Sequence, residues 1–345
     1  MRTSWKLINR ELGKDCKNYG FQSLNINGRS ITSHQIIASA FNDHFTTLPT
    51  TISQNINTNN CSTTTSDNNH NTISFYLNHV YQNSFPNIKY HCTTTRETEN
   101  LIRTPKLSNS CGYDEVPLKL LKLCSYYISS PLNYICNRTL FTGVFPDRLE
   151  CATIRPLLKK GNKDDVNNYR PISILTSFSK FFEKVMQIRL LKHLTDNNIL
   201  VKEQYGFRTN LKTDNAVYHL TNEILNALNN KLSVGGIFCD LEMAFDCVNH
   251  KILLTKPEFF GITGNHRKLY KSCSIVRYQR TMLYNENSHI TTSTCSKVEQ
   301  GVPQTKMLYI FKIVSVLTFL KVVLLIVPIN YQNFANLDST SLENW

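Results

Sequence analysis

A chain of 345 residues, 41% hydrophobic and 18% charged, can bury a sizeable core, which excludes wholesale disorder and collagen-like or coiled-coil architectures. Its 38 Lys and Arg outnumber 25 Asp and Glu, and the resulting charge of +13 suits phosphate backbones if clustered and only solubility if spread. Eleven cysteines, an odd number with no C-x-x-C or His/Cys pair at zinc spacing, are expected to be reduced thiols. Residues 1–18 contain no apolar secretory core, so no secretory signal is expected there.

In chain order, residues 1–48 are of mixed composition, and the Thr-, Ser- and Asn-rich stretch 49–72 reads as a linker because it offers too little apolar surface to offset ordering entropy. A main domain is expected over 73–304, with an atypical apolar tail over 305–345. Phe178, Phe181, Phe182, Val185 and Met186 recur at helical spacing and predict a helix over 177–197. Val217, Leu220, Ile224 and Leu228 predict a second over 215–229, with Asp214 placed to cap it. The short apolar run 234–241, opened by a Gly pair, reads as a buried strand. Segments 277–284 and 289–297 flank the turn-rich 285–288 as a hairpin. Residues 307–329 are nearly continuous apolar sequence of bilayer-spanning length. Lys312 and Lys321 oppose insertion, since a lysine near a bilayer centre costs ~2.5–3.5 kcal/mol.

Asp240 stands at the mouth of the predicted strand, with Asp246 six residues on. A carboxylate there is expensive to bury unless a donor or cation meets it, so it either caps the following turn or holds a hard divalent cation. Arg208, in Gln204-Tyr205-Gly206-Phe207-Arg208 with Lys212 nearby, has the planar fork that grips phosphate oxygens. Lys159 and Lys160 form a basic turn with Gly161, and Arg170 precedes Pro171. Each of these is either a solvated loop or a phosphate contact.

Their order decides between these readings. Gly112-Tyr113-Asp114, Lys159-Lys160-Gly161, Tyr169-Arg170-Pro171-Ile172-Ser173, Phe182-Glu183-Lys184, Gln204 to Arg208, Asp240-Leu241-Glu242-Met243-Ala244-Phe245-Asp246 and Gln300-Gly301-Val302-Pro303-Gln304 follow one another as in a known family. Over residues 95–304 the chain closely resembles the reverse transcriptase of non-LTR (LINE-type, jockey-like) retrotransposons, and Phe41-Asn42-Asp43-His44-Phe45 is similar to the connector before that polymerase. The resemblance implies an α+β right-hand polymerase, with fingers from about 155 to 212 and a partial palm from about 232. It implies that Asp240, helped by the Leu241 carbonyl, holds catalytic Mg²⁺ or Mn²⁺, and that Arg208 touches the incoming deoxynucleoside triphosphate. Phe245 excludes a 2′-hydroxyl in the same scheme. Gln300, Gly301, Pro303 and Gln304, with Lys159, Lys160 and Arg170, support RNA template, DNA primer and nucleotide.

The pattern departs at Thr305, where the resemblance is expected to end. The family requires a paired-aspartate hairpin soon afterwards, and after Gln304 the chain has only Asp338 and Glu343 as acids. Met243 replaces the usual Lys before Ala244-Phe245-Asp246. A truncated or degenerate, inactive polymerase lacking a thumb is therefore expected. The alternatives are a non-catalytic nucleic-acid-binding remnant and a membrane-associated protein anchored by 307–329. The charge is clustered, with 14 basic against 7 acidic residues over 138–212, which favours the nucleic-acid partner.

Overall fold

The computed structural model describes residues 23–26, 28–59, 85–107, 111–159, 161–200, 204–206, 208, 210–236, 257–275, 277–284, 290–298 and 324–327. Strands β1 (Leu24–Ile26) and β2 (Arg29–Ile31) form a hairpin in which Ile26 faces Arg29. Gly28, at φ +79°, supplies the left-handed backbone that a two-residue turn demands. Helix α1 (His34–Asn59) follows and buries Ile37, Phe41 and Phe45 along one stripe.

This helix runs through Pro49 to Asn59, so the segment expected to be linker from residue 49 begins as helix. Its threonines bond backwards along the helix: the hydroxyl of Thr46 donates to Asn42 O (3.0 Å), Thr47 to Asp43 O (2.8 Å) and Thr51 to Thr47 O (3.2 Å). Composition pointed to a linker; in the helix these hydroxyls bond back along the chain to carbonyls one turn earlier.

Helices α2 (Thr95–Arg103), α3 (Leu118–Leu123) and α4 (Ser125–Thr142) precede strands β3 (Cys151–Leu158) and β4 (Tyr169–Ile174). Then come α5 (Ser177–Asp196), α6 (Thr213–Asn229), β5 (Ser233–Gly236), α7 (Gly264–Ile275), β6 (Tyr278–Tyr284), β7 (Ile290–Thr292), β8 (Ser296–Lys297) and β9 (Leu324–Val327). The mixture of helices and sheets is the α+β class expected. The main sheet runs β4-β3-β6-β7, with β8 also on β6; β3 is antiparallel to β4 and parallel to β6.

One core is helical. The predicted first helix is α5, ending within one residue of expectation, and its Phe181, Phe182, Val185, Met186 and Leu190 are buried against Phe145, Leu269 and Tyr270. Thr176 caps it by accepting from Ser179 N (3.0 Å). Arg189 ties it to α2 through two parallel bonds of 2.8 Å to Glu97, which hold the Glu97 carboxyl below its ordinary pKa. The second core lies between α1 and one face of the sheet, where Leu24, Ile37 and Phe41 meet Ala152, Ile154 and Leu283. Phe41 also meets Tyr169 edge-on at 4.9 Å.

Three local expectations shift. Asp214 does not cap α6: the helix starts at Thr213, and Asn215 Oδ1 accepts from Lys212 N (2.9 Å), which moves the cap earlier. The stripe of α6 is largely open, with Val217 57% and Leu228 56% exposed. The strand predicted over 234–241 is described as β5 over Ser233–Gly236, and its remainder lies outside the described residues. The hairpin 277–297 forms as β6 against β7, with β8 returning to β6. Among the described residues no helix is long and apolar enough to cross a membrane; of the run 307–329, only 324–327 are described, as a strand.

Candidate nucleic-acid interface

Residues opposite one another on paired strands share a face. The β3–β4 register sets Thr153 against Ile174, Arg155 against Ile172, and Leu157 against Arg170; the β3–β6 register sets Thr153 against Arg280. These side chains therefore project from one face, while Ala152, Ile154 and Leu283 enter the core beneath α1. The open face carries a cavity of about 400 Å³ lined by Arg155, Leu157, Ile172, Ser173, Ile174 and Lys180.

Aromatic rings steady two of its guanidinium groups. Arg155 lies 5.0 Å from the centre of the Tyr284 ring, and Arg280 lies 5.8 Å from that of Tyr113. Arg280 Nη2 also reaches Tyr113 O at 3.5 Å. Among the described residues, Arg155, Arg170 and Arg280 make no ion pair, whereas Arg189 and Arg277 are committed to Glu97 and Glu183. Lys180 stands at the rim, where desolvation lowers its pKa against the opposing pull of Glu183 and Asp114. The face thus offers fixed cations beside apolar surface, a combination that holds phosphates while covering sugar or base.

Tyr113 reaches this face because its loop is docked tightly. A Cβ added at Gly112 would come within 2.6 Å of the Thr176 backbone, at the cap of α5, so only glycine permits the approach. The Tyr113 hydroxyl donates to Arg148 O, and Asp114 Oδ1 accepts from Val116 N (3.3 Å).

The residues singled out in the sequence distribute unevenly. Arg170 is on the open face and Lys159 directly follows β3, its N–H donating to Asn168 O (2.8 Å); Lys160 lies outside the described residues. Gln204 is buried and its Nε2 donates to Gly206 O (2.7 Å), so the loop leading to Arg208 closes on itself and sets Tyr205 5.9 Å from His219 of α6. Asp240, Leu241, Phe245, Gln300, Gly301, Pro303 and Gln304 all lie outside the described residues. Strand β5 ends four residues before Asp240 and pairs antiparallel with β9. Among the described residues no group of three or more His, Cys, Asp or Glu is placed to hold a metal ion.

Arg280, Tyr113 and Tyr284 were not expected as site residues, and Arg155 entered only as a segment boundary. A period-two signal was available for Arg155, a charge alternating with Ile154 and Pro156. The approach of Arg280 to β3 depends on a parallel pairing that no local pattern encodes.

Residues 158–327 match the family described as reverse transcriptase (RNA-dependent DNA polymerase). The match passes Gln304, so the resemblance does not end where expected, and β9 lies at its far edge. The chain is 34% identical over 219 residues to a probable RNA-directed DNA polymerase from transposon BS of Drosophila melanogaster, covering 61% of this chain and 23% of that protein. It is 29% identical over 238 residues to the RNA-directed DNA polymerase from mobile element jockey of the same species, covering 68% and 25%. A probable RNA-directed DNA polymerase from transposon X-element is 28% identical over 204 residues, covering 57% and 21%. The chain spans about a quarter of the length of these relatives. With a match that takes in β4, α5, α6 and the strand before Asp240, residues 158–327 resemble the reverse-transcriptase domain of non-LTR, jockey-type retrotransposon polymerases.

Proposed function

We propose that the chain forms the fingers and part of the palm of an RNA-directed DNA polymerase, with the open face of β4-β3-β6 holding the phosphates of an RNA template and an incoming deoxynucleoside triphosphate. The observation that supports this is the alignment of Arg155, Arg170 and Arg280 on one face without ion-pair partners among the described residues. In this reading Lys159, Lys160 and Arg208 add phosphate contacts. Phe245 limits the sugar to a deoxyribose, and Gln300, Gly301, Pro303 and Gln304 support template and nucleotide on the palm. Substrates of this kind place the protein in the cytoplasm or nucleus.

Affinity for an RNA–DNA primer-template should fall steeply with salt, as expected when cations on the protein displace condensed counterions. Arg155→Ala and Arg170→Ala are each expected to reduce the log–log salt slope by about 1, read by fluorescence anisotropy across a potassium chloride series. An unchanged slope in both variants would place the nucleic acid elsewhere.

The Asp240 carboxylate and the Leu241 carbonyl are hard oxygen donors suited to Mg²⁺, with Mn²⁺ as the alternative. Bound there, the ion would supply Lewis-acid activation of the primer 3′-hydroxyl and charge compensation at pyrophosphate. Only Asp338 and Glu343 follow Gln304 as acids, so residues 1–345 do not offer the paired aspartates that complete such a centre. Primer extension on an RNA template by this chain is expected at background. Incorporation that Asp240→Ala abolishes would overturn that expectation.

A further inference from the structure

Cys151 opens β3 and Cys295 lies between β7 and β8, 144 positions apart in sequence, yet their Sγ atoms stand 3.8 Å from each other. We propose that these thiols are an oxidative modification site, at which a small-molecule disulfide such as glutathione disulfide converts them to an intramolecular Cys151–Cys295 bond.

The geometry favours closure. A disulfide needs its sulfurs about 2.05 Å apart, so the pair must approach by less than about 2 Å. Cys295 is exposed, in a short connection between two small strands, so the approach requires movement of a turn and not of a core strand. Cys151 is half-buried. Strands β3 and β8 flank β6 on opposite sides, Cys151 facing Tyr278 and Tyr278 facing Lys297, so the bond would bridge β6 at its start. By contrast Cys136 and Cys273 are buried, out of reach of the reagent, which removes them as competitors.

The reaction is a two-step exchange. The Cys295 thiolate attacks one sulfur of the reagent and expels the first glutathione as a thiolate, leaving a mixed disulfide. The Cys151 thiolate then attacks the Cys295 sulfur and expels the second. Two protein thiols lose two electrons and two protons, and one glutathione disulfide becomes two glutathione thiols. Burial, reinforced by the neighbouring Cys295, pushes the Cys151 thiol up to about 12. The second step is therefore slow at neutral pH and quickens about tenfold per pH unit as thiolate accumulates.

The test is peptide mapping by mass spectrometry after the folded full chain has been incubated with glutathione disulfide at pH 7, 8 and 9. A Cys151–Cys295 cross-linked peptide is expected, lighter by about 2 Da than its two reduced peptides together, forming faster at higher pH and reversed by dithiothreitol. The Cys151→Ser chain should stop at a glutathione adduct on Cys295, and Cys295→Ser should leave Cys151 unmodified. The oxidised chain should also unfold at a higher urea concentration than the reduced one. Accumulation of the Cys295 adduct in the unsubstituted chain, or a cross-link that appears only in urea, would overturn the proposal. Neither readout depends on nucleic-acid binding.

Discussion

Replacing Arg277 with alanine is expected to lower the stability of the fold by about 3–5 kcal/mol, the range found when one partner of a buried ion pair is removed. Arg277 is 1% exposed and its guanidinium sits where the helical core meets the sheet. Nη2 lies 3.0 Å from Glu183 Oε1 of α5, Nη1 donates to Leu149 O (3.3 Å), Nε donates to Cys273 O, and the Phe145 ring centre lies 5.3 Å away. Truncation removes the guanidinium charge that faces the Glu183 carboxylate, itself 4% exposed, and removes the donor from two carbonyls. Urea unfolding followed by circular dichroism measures the loss. The double change Arg277→Met with Glu183→Leu should recover much of it, because the cost lies in the stranded charge more than in the missing attraction. A loss below about 1 kcal/mol for Arg277→Ala would mean that water replaces the guanidinium at no cost.

Glu150 makes the same junction sensitive to pH. It is 3% exposed, and burial together with the nearby Asp147 raises its pKa to about 7, against the lowering influence of Arg277 and of a hydrogen bond from Ser272. A carboxyl raised from 4.5 to about 7 binds its proton more tightly in the folded chain than in the unfolded one. Its contribution is fully present below pH 4.5 and is lost as pH rises through 7. Stability should therefore drop by about 2–3 kcal/mol between pH 5 and pH 8 from this group. Glu150→Gln should flatten that part of the profile and be more stable than the parent at pH 8. Urea midpoints at four pH values decide the matter, and an equal slope in both proteins would refute it. Because Arg277 faces both glutamates, its removal should push the Glu150 transition to still higher pH, so the two substitutions will not add.

These two residues also show where sequence reading stops. Phe182-Glu183-Lys184 stood out as a family motif, but nothing local indicated that Glu183 is buried and answers an arginine 94 positions away. The helix expected over 177–197 was legible because its apolar residues keep helical spacing, and it ends one residue earlier, at Asp196. The hairpin β6–β7 was legible because a turn-rich segment separates two alternating runs. The β1–β2 hairpin carries a local turn signal in Asn27-Gly28, set among neighbours of mixed composition. Helix α4 offered little, since Pro131 lies inside it and its aromatic residues do not follow its buried face: Tyr127 and Phe141 face solvent while Leu132 and Leu140 are buried. For the site, the basic residues of β4 and the β3–β4 turn were visible as charge, but their assembly with Arg280 required strand register. Asp240 and the palm motifs remain known from sequence order, as they lie outside the described residues.

The parallel pairing of β3 with β6 also dictates a timetable. Cys151 must wait for Tyr278, so the middle of the sheet cannot close until the ribosome has added 127 further residues. At roughly 5–20 residues per second that is an interval of about 6–25 s during synthesis. Throughout it, β3 can pair with β4 but presents its other edge unpaired, and the apolar stripe of α1 has only part of its seat. A nascent chain in that state is exposed to edge-to-edge association with its neighbours on the same messenger. Arginine at positions 155 and 170 meanwhile adds like charge that keeps such edges apart.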